Sequence, residues 1–359
     1  MAPSLSTATT SPTSEDAYDA VLLVSFGGPE APDDVLPFLE RVTSGRNIPR
    51  ERLEEVAEHY FEHDGRSPIN DQNRALLTAL RDLFDTHGPD LPIYWGNRNW
   101  HPFLADTLRT MRDDGVKRAL CFVTSAFSSY SGCRQYREDL AEARAELGDD
   151  APALDKIRVF YNHPGFVSPM VDRVREGLAR FPSDERDRAR IVFVTHSIPH
   201  TIARHSDYEA QHVDTCRAIM HEFAAYAWDL VYCSRSGPPH VPWLEPDIND
   251  HLQQLADEDV PSVLVVPVGF VSDHMEVIHD LDVEAAATAA AAGLTFVRAG
   301  TVGVHPTFVA MIRELVLERH DAQDRACIGL RGPSHDVCPI DCCAVPEQQL
   351  RPTVAGASR

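Results

Sequence analysis

The run Val263-Leu264-Val265-Val266-Pro267-Val268 empties into Gly269-Phe270-Val271-Ser272-Asp273-His274-Met275-Glu276, and Asp280, Asp282 and Glu284 follow. A short apolar run without polar alternation reads as a strand buried on both faces, as in a parallel sheet. Further runs of this kind lie at 20–25, 93–96, 119–124, 157–161, 191–195, 230–233 and 295–299. Helical spacing fills segments between them, at 71–87, 101–114, 133–147 and 208–227. Strands that alternate with helices make the fold α/β with parallel sheets. The stretch 181–190, rich in Asp and Arg, divides the eight strands into two four-strand halves. In such folds ligands bind beyond the carboxyl ends of the strands.

Composition narrows the function. At 359 residues the chain can bury two cores, and 43% hydrophobic with 25% charged residues is ordinary for a globular protein. A formal net charge of −22 argues against a nucleic-acid partner, which needs a basic face. An anionic substrate would have to be met by a local cluster of arginines. No apolar run reaches the length of a membrane span. Residues 1–17 are rich in Ser, Thr and Pro but have neither a basic start nor an apolar stretch, so they read as a disordered tail and not as a secretory signal. Eight cysteines without such a signal point to thiols or metal ligands in a cytoplasmic protein.

The chemistry gathers at strand ends. The run 191–195 delivers His196 to its tip, and the run 263–268 leads to Glu276. Glu276, Asp280 and Glu284 recur at i, i+4 and i+8, so on a helix they share one ridge. Like charges so spaced raise one another's proton affinity unless a cation neutralises them. A solvated acidic helix face and a hydrogen-bonded core histidine would account for either feature alone. Together, an imidazole and a carboxylate suit Fe, Zn, Ni or Co, and two ligands from separate strand tips leave an open site, fitted to transfer. The glycine pair in Ser25-Phe26-Gly27-Gly28-Pro29 lacks the third glycine of a dinucleotide-binding turn, so a nicotinamide cofactor is not indicated.

At this point a family resemblance becomes specific. Thr195-His196-Ser197-Ile198-Pro199, Ser234-Arg235-Ser236-Gly237-Pro238-Pro239 with Pro242-Trp243-Leu244-Glu245-Pro246, and Gly269 to Glu276 with Asp280 to Glu284 resemble ferrochelatase motifs in order and spacing. Ser25 to Pro29, Ser67-Pro68-Ile69-Asn70 and Gly96-Asn97-Arg98-Asn99-Trp100 extend the likeness through the amino half, so that it covers about residues 18 to 345. The resemblance implies a chelatase-like pair of Rossmann-like domains, each a four-stranded parallel sheet flanked by helices, which clamp a porphyrin and insert Fe(II) into it. His196 and Glu276 match the metal-site pair. His274 would support them, and Asp280 and Glu284 would form a polar path for the ion. Ser67, Tyr136 and Phe26 match porphyrin contacts, and Phe26 stands where some members carry an iron-ligating Tyr. Arg46 is a candidate propionate partner by its loop position.

Four cysteines, Cys327, Cys338, Cys342 and Cys343, fall beyond the last helical segment. Thiolates so grouped suit zinc or a [2Fe-2S] cluster. The resemblance to actinobacterial-type members favours the cluster, with Cys133, Cys338, Cys342 and Cys343 as ligands and Cys327 in reserve. Cys133, at a helix start, is placed where backbone N–H groups favour thiolate. Cys121, Cys216 and Cys233 read as packing residues.

The expected division is a tail at 1–17, domains at 18–180 and 181–304, a helix at 305–325 that packs back on the body, a cysteine-rich segment at 326–345 and a disordered tail at 346–359. The expected protein is a monomeric ferrochelatase of the coproporphyrin III branch that makes coproheme. The alternatives are a protoporphyrin IX enzyme, a cobalt or nickel chelatase, and a non-catalytic metal- or haem-binding protein.

Overall fold

The computed structural model of the chain describes residues 17–45, 48–238, 240–345 and 349–356. Two parallel sheets of four strands make up its body. The first contains β1 (Ala20–Ser25), β2 (Ile93–Asn97), β3 (Arg118–Val123) and β4 (Ala153–Lys156) in the order β2-β1-β3-β4. The second contains β5 (Arg190–His196), β6 (Trp228–Cys233), β7 (Ser262–Val266) and β8 (Thr295–Arg298) in the order β6-β5-β7-β8. In each sheet the chain goes first to one side of its opening strand and then to the other. Crevices therefore open at the carboxyl ends of the β1/β3 and β5/β7 pairs, where doubly wound sheets bind ligands.

Burial explains why most strands are readable as apolar runs. Every residue of β1 and β7 is buried, as are the middle five of β5. The exception is β4, expected at 157–161 but formed by Ala153–Lys156, an edge strand whose alternate residues are half-exposed. Ile157 to Tyr161 is buried because it runs on from the sheet into the body. The Ile157 N–H still bonds the Cys121 carbonyl at 2.9 Å, and Phe160 stacks on Phe122 with ring centroids 5.1 Å apart. An apolar connection there mimics a central strand.

One core cluster runs through both halves, from Leu23 and Phe122 to Phe193 and Leu264. The helix Pro164–Leu178, expected with the first half, packs on β7 and β8 of the second. The helix Pro306–His320 lies against it and against Ile69–His87. There Arg158 forms a two-pronged pair with Glu318, at 2.8 Å from both Nε and Nη2, fully removed from solvent. Helices Val35–Val42 and Arg50–Phe61 pack through Val35, Phe38, Leu39, Leu53 and Ala57 into a separate small cluster. Among the described residues no helix is long and apolar enough to cross a membrane.

The carboxyl-terminal stretch departs from expectation. The described part of the expected tail, 349–356, is tied to the first half: Val354 is buried and its N–H bonds the Arg137 carbonyl at 3.1 Å. Arg137 reciprocates with Nε to the Val354 carbonyl at 2.9 Å and Nη2 to Thr353 Oγ1 at 3.0 Å. A buried guanidinium needs acceptors, and the tail supplies them.

Candidate functional site

His196 ends β5, and its neighbour Thr195 fixes how closely β7 can follow. A Cβ on Gly269 would fall 2.1 Å from Thr195 Oγ1, so only glycine lets the chain leave β7 here. Tyr208 holds the same corner, with its hydroxyl 2.7 Å from Thr195 Oγ1 and donating to the His196 carbonyl at 2.9 Å. The chain then turns through Met275–Val277 and enters Ile278–Ala285, which is a π-helix and not the α-helix expected from the acidic spacing. Its wider i→i+5 turns still keep residues four apart near one face, and such turns are frequent at functional sites.

Glu276 consequently faces His196 across the β5/β7 crevice. Its Oε1 lies 3.4 Å from His196 Nε2, and its Oε2 lies 3.7 Å from His274 Nδ1. Burial disfavours charge on the imidazole, but the Glu276 carboxylate, the Ser197 carbonyl bonded to Nδ1 and the charge of Asp280 outweigh it, and His196 is pushed up to about 9. Burial likewise opposes charge on Glu276, yet His196 draws it down to about 2. His274, packed edge-on against Phe270 at 5.1 Å, is lowered by burial in spite of Glu276.

Asp280 lies a turn beyond and accepts a hydrogen bond from Ser234 Oγ. Burial, with Glu276 and Glu284 adding to it, pushes Asp280 up to about 7 against the Ser234 bond. Glu284 continues the line and lies 3.5 Å from His279 Nε2, while His279 stacks on His59 at 3.7 Å. Asp282 points elsewhere, to a two-pronged pair with Arg298 at 2.6 and 2.7 Å.

The first half supplies an aromatic wall. Phe26, in the loop after β1, packs edge-on against Phe38 at 6.3 Å, and Phe38 does the same with Tyr60 at 6.0 Å and Trp100 at 6.2 Å. Burial and the charges of Glu276 and Asp280 drive the Tyr60 phenol well up, which brings this wall up to the carboxylates. Tyr136 is buried under Arg98, whose guanidinium carbon lies 4.6 Å from the ring centroid. Arg98 is committed to Asp139, and is therefore structural. Ser67 is buried where a Cβ on Gly28 would meet its own Cβ at 2.7 Å. Arg46 lies outside the described residues. Beside the site, the Asp273 N–H donates to Gln72 Oε1 at 2.9 Å and the Ser128 N–H to Gln211 Oε1 at 2.7 Å, which lock the halves together.

Such a cleft has a flat aromatic side and a side where an imidazole can take a proton and a carboxylate can hold a cation. The candidates His196, Glu276, His274 and Asp280 come together, with Glu284 on the outward end of the same face. Tyr60, Tyr208 and His279 escaped the sequence reading, and Ser234, quoted there within a motif, had no role assigned to it until its bond to Asp280 was seen.

The cysteines form a second group. The Cys133 thiol bonds that of Cys338, which bonds that of Cys342, and Cys342 Sγ lies 3.8 Å from Cys343 Sγ. Cys327 stands apart, next to Ile328, whose N–H bonds the Asn162 carbonyl at 2.8 Å. Buried Cys121, Cys216 and Cys233 are packing residues. The expected thiolate at Cys133 is not favoured in the metal-free protein: its bond to Cys338 and burial raise it well above the usual thiol range. Four thiols linked in a row nevertheless suit a metal group, and the surroundings are cationic. Lys156 is buried beside them, and Arg137 keeps Nη1 buried without a hydrogen-bond partner. His335, absent from the sequence reading, joins the group with Nε2 3.7 Å from Cys342 Sγ.

The ferrochelatase family profile matches residues 18–320. The chain is 54% identical to the coproporphyrin III ferrochelatase of Streptomyces griseus, over 95% of this chain and 96% of that one. It is 52% identical to the ferrochelatase of Rhodopirellula baltica over 94% and 96%, and 48% identical to the coproporphyrin III ferrochelatase of Nocardia farcinica over 95% and 99%. The solved structure of SirB from Bacillus subtilis with Fe3+ shares the fold, with a TM-score of 0.54 at 11% identity over 85% of this chain and 98% of that one.

Proposed function

The chain belongs to the ferrochelatase family, and from that premise we propose that it inserts Fe(II), its substrate, into coproporphyrin III to give coproheme. The observation that carries the chemistry is the His196–Glu276 pair at 3.4 Å across the β5/β7 crevice. Two pyrrole protons must leave as iron enters the ring. The incoming cation at Glu276 offsets the carboxylate that keeps His196 protonated, so the imidazole gives its proton to solvent and then accepts the two ring protons in turn, releasing each towards Asp280 and solvent. Glu276 hands the ion to the ring, with His274 as its second neighbour. Asp280 and Glu284 lead the ion in from solvent. Phe26 and Tyr136 support the macrocycle's opposite face, with Ser67 at its edge. Phe26 has no oxygen, so it cannot ligate the product iron as a tyrosine there would.

Cys133, Cys338, Cys342 and Cys343 would hold a [2Fe-2S] cluster, balanced by Lys156 and Arg137. When bound, the cluster supplies a one-electron centre and a cross-link between the tail and the first half. Its presence would give visible absorption and about two non-substrate irons per chain, both lost in Cys338→Ser. Both walls of the cleft come from one chain, which supports a monomer. None of the eight cysteines is paired in a disulfide, which supports the cytoplasm.

Anaerobic metallation with each porphyrin tests the reading. Faster turnover of coproporphyrin III than of protoporphyrin IX is expected, and the reverse order would overturn the substrate assignment. Tight porphyrin binding with no metallation of either would leave only a carrier.

A further inference from the structure

We propose that Tyr208 is a positioning residue for the metallation reaction, the last link of a buried chain by which the first half of the molecule sets where the His196 imidazole stands. The inference rests on the reading of His196 as the proton acceptor. β5 ends at His196, and at the end of the strand the His196 carbonyl needs a donor. Tyr208, at the start of the helix Tyr208–Met220, supplies it at 2.9 Å. A phenol has one proton, so in the second contact, at 2.7 Å, the Thr195 hydroxyl must donate to Tyr208 Oη. One oxygen atom thus holds two successive residues of the strand tip.

Tyr208 is itself held from the other half. Tyr208, Gln211, His212 and Thr215 recur at i, i+3, i+4 and i+7, so they share one face of the helix, and all four are buried. A helix ordinarily buries an apolar stripe, and a polar one costs free energy unless its groups are bonded. Three of these four reach the first half. Gln211 Oε1 accepts from the Ser128 N–H at 2.7 Å, and its Nε2 donates to Ser128 Oγ at 2.9 Å. Thr215 Oγ1 donates to the Tyr161 carbonyl at 3.0 Å. His212 lies flat on Phe127 at 3.6 Å, and its ring centroid is 4.3 Å from that of Tyr208. Its Nδ1 must carry the proton, because its partner at 2.8 Å is the Tyr208 carbonyl. Its Nε2 has no hydrogen-bond partner among the described residues, so the imidazole serves as a plate and a donor between a first-half ring and Tyr208. The helix takes its bearings from the first half at three residues and passes them to His196 by the fourth.

Anaerobic iron insertion and thermal unfolding of the full-length parent and three variants test the link. Tyr208→Phe should lower kcat by roughly ten- to hundredfold with the KM for porphyrin little changed, because a misplaced proton acceptor costs rate and leaves porphyrin binding alone. Adding Thr195→Val to Tyr208→Phe removes the hydroxyl left without its acceptor, so the melting temperature should recover in part while kcat stays low. Gln211→Met, which cuts the tie to Ser128 but leaves Tyr208 its hydroxyl, should also lower kcat. Parental kcat in Tyr208→Phe or in Gln211→Met, or recovery of kcat together with stability in the double variant, overturns the inference. Should the parent metallate neither porphyrin, the function reading fails, and the position is read directly by NMR of protein carrying isotope-labelled histidine. The His196 signal, identified by its absence from His196→Ala, should move in Tyr208→Phe, and an unmoved signal overturns the inference by itself.

Discussion

At the scale of single residues, the proposed function gives His196 and Glu276 the chemistry, while Gly269 and Thr195 contribute position. His196→Ala removes the proton acceptor, and a loss of roughly 10²–10⁴ in kcat is expected with the melting temperature little changed. Gly269→Ala should act differently. The added Cβ meets Thr195 Oγ1 at 2.1 Å, so the strand tip must shift, at about 1–3 kcal/mol of stability, read from the denaturant midpoint, together with a fall in kcat. If Gly269→Ala proved as stable and active as the parent, the close approach would not position His196. The two site residues were legible because each follows an apolar run that could only be a buried strand. Tyr60 was not legible: its helix has a modest apolar face, and nothing local tells a tyrosine facing a carboxylate 200-odd residues away from one facing solvent. His335 was equally hidden, as one histidine in a polar tail.

At the scale of elements, the Pro306–His320 helix is fastened to the body by the Arg158–Glu318 pair. Glu318→Ala leaves a buried guanidinium without its counter-charge and should cost about 3–5 kcal/mol, whereas Arg158→Met with Glu318→Leu should come out near neutral or stabilising. Equal destabilisation in the two proteins, by urea unfolding, would mean that the pair contributes through shape alone. Elements were legible where their centres are apolar. β1, β5 and β7 have buried apolar centres and were found within a residue or two, and β8 was found although only Val297 of it is buried. β4 was missed because a half-exposed edge strand reads Ala-Leu-Asp-Lys, while the buried link after it reads like a core strand. The π-helix was missed because an acidic residue at every fourth position suits a π-turn and an α-turn alike.

At the scale of the whole molecule, the core that joins the two halves contains histidines kept neutral by burial. Burial, with Arg158 adding to it, lowers His163 to about 4, and burial lowers His212, stacked on Phe127 at 3.6 Å, to about 3. An unfolded histidine titrates near 6.5. Between these values only the unfolded chain binds the protons, so this stability is complete above about pH 6.5 and is lost as pH falls towards about 4 and 3. Urea midpoints measured from pH 7 to 4.5 should therefore decline, and His212→Phe should flatten the decline by about one proton's worth. An unaltered slope would show that His212 is already charged in the native core. The division of the fold was legible as two sets of four strands. The packing of Pro164–Leu178 onto the second sheet was not, because a helix sequence does not name the sheet it will cover.

The strap made by 353–356 on Arg137 also has a temporal meaning. A chain emerges from the ribosome amino end first and folds as it appears. Cys133 and Arg137 are out early, whereas Cys338 to Cys343 and Val354 emerge last. Both sheets and the catalytic crevice can thus be assembled before the thiol pocket exists. A metal held by the proposed tail site would be loaded as the last event of biosynthesis, a seal set on a body that is already folded.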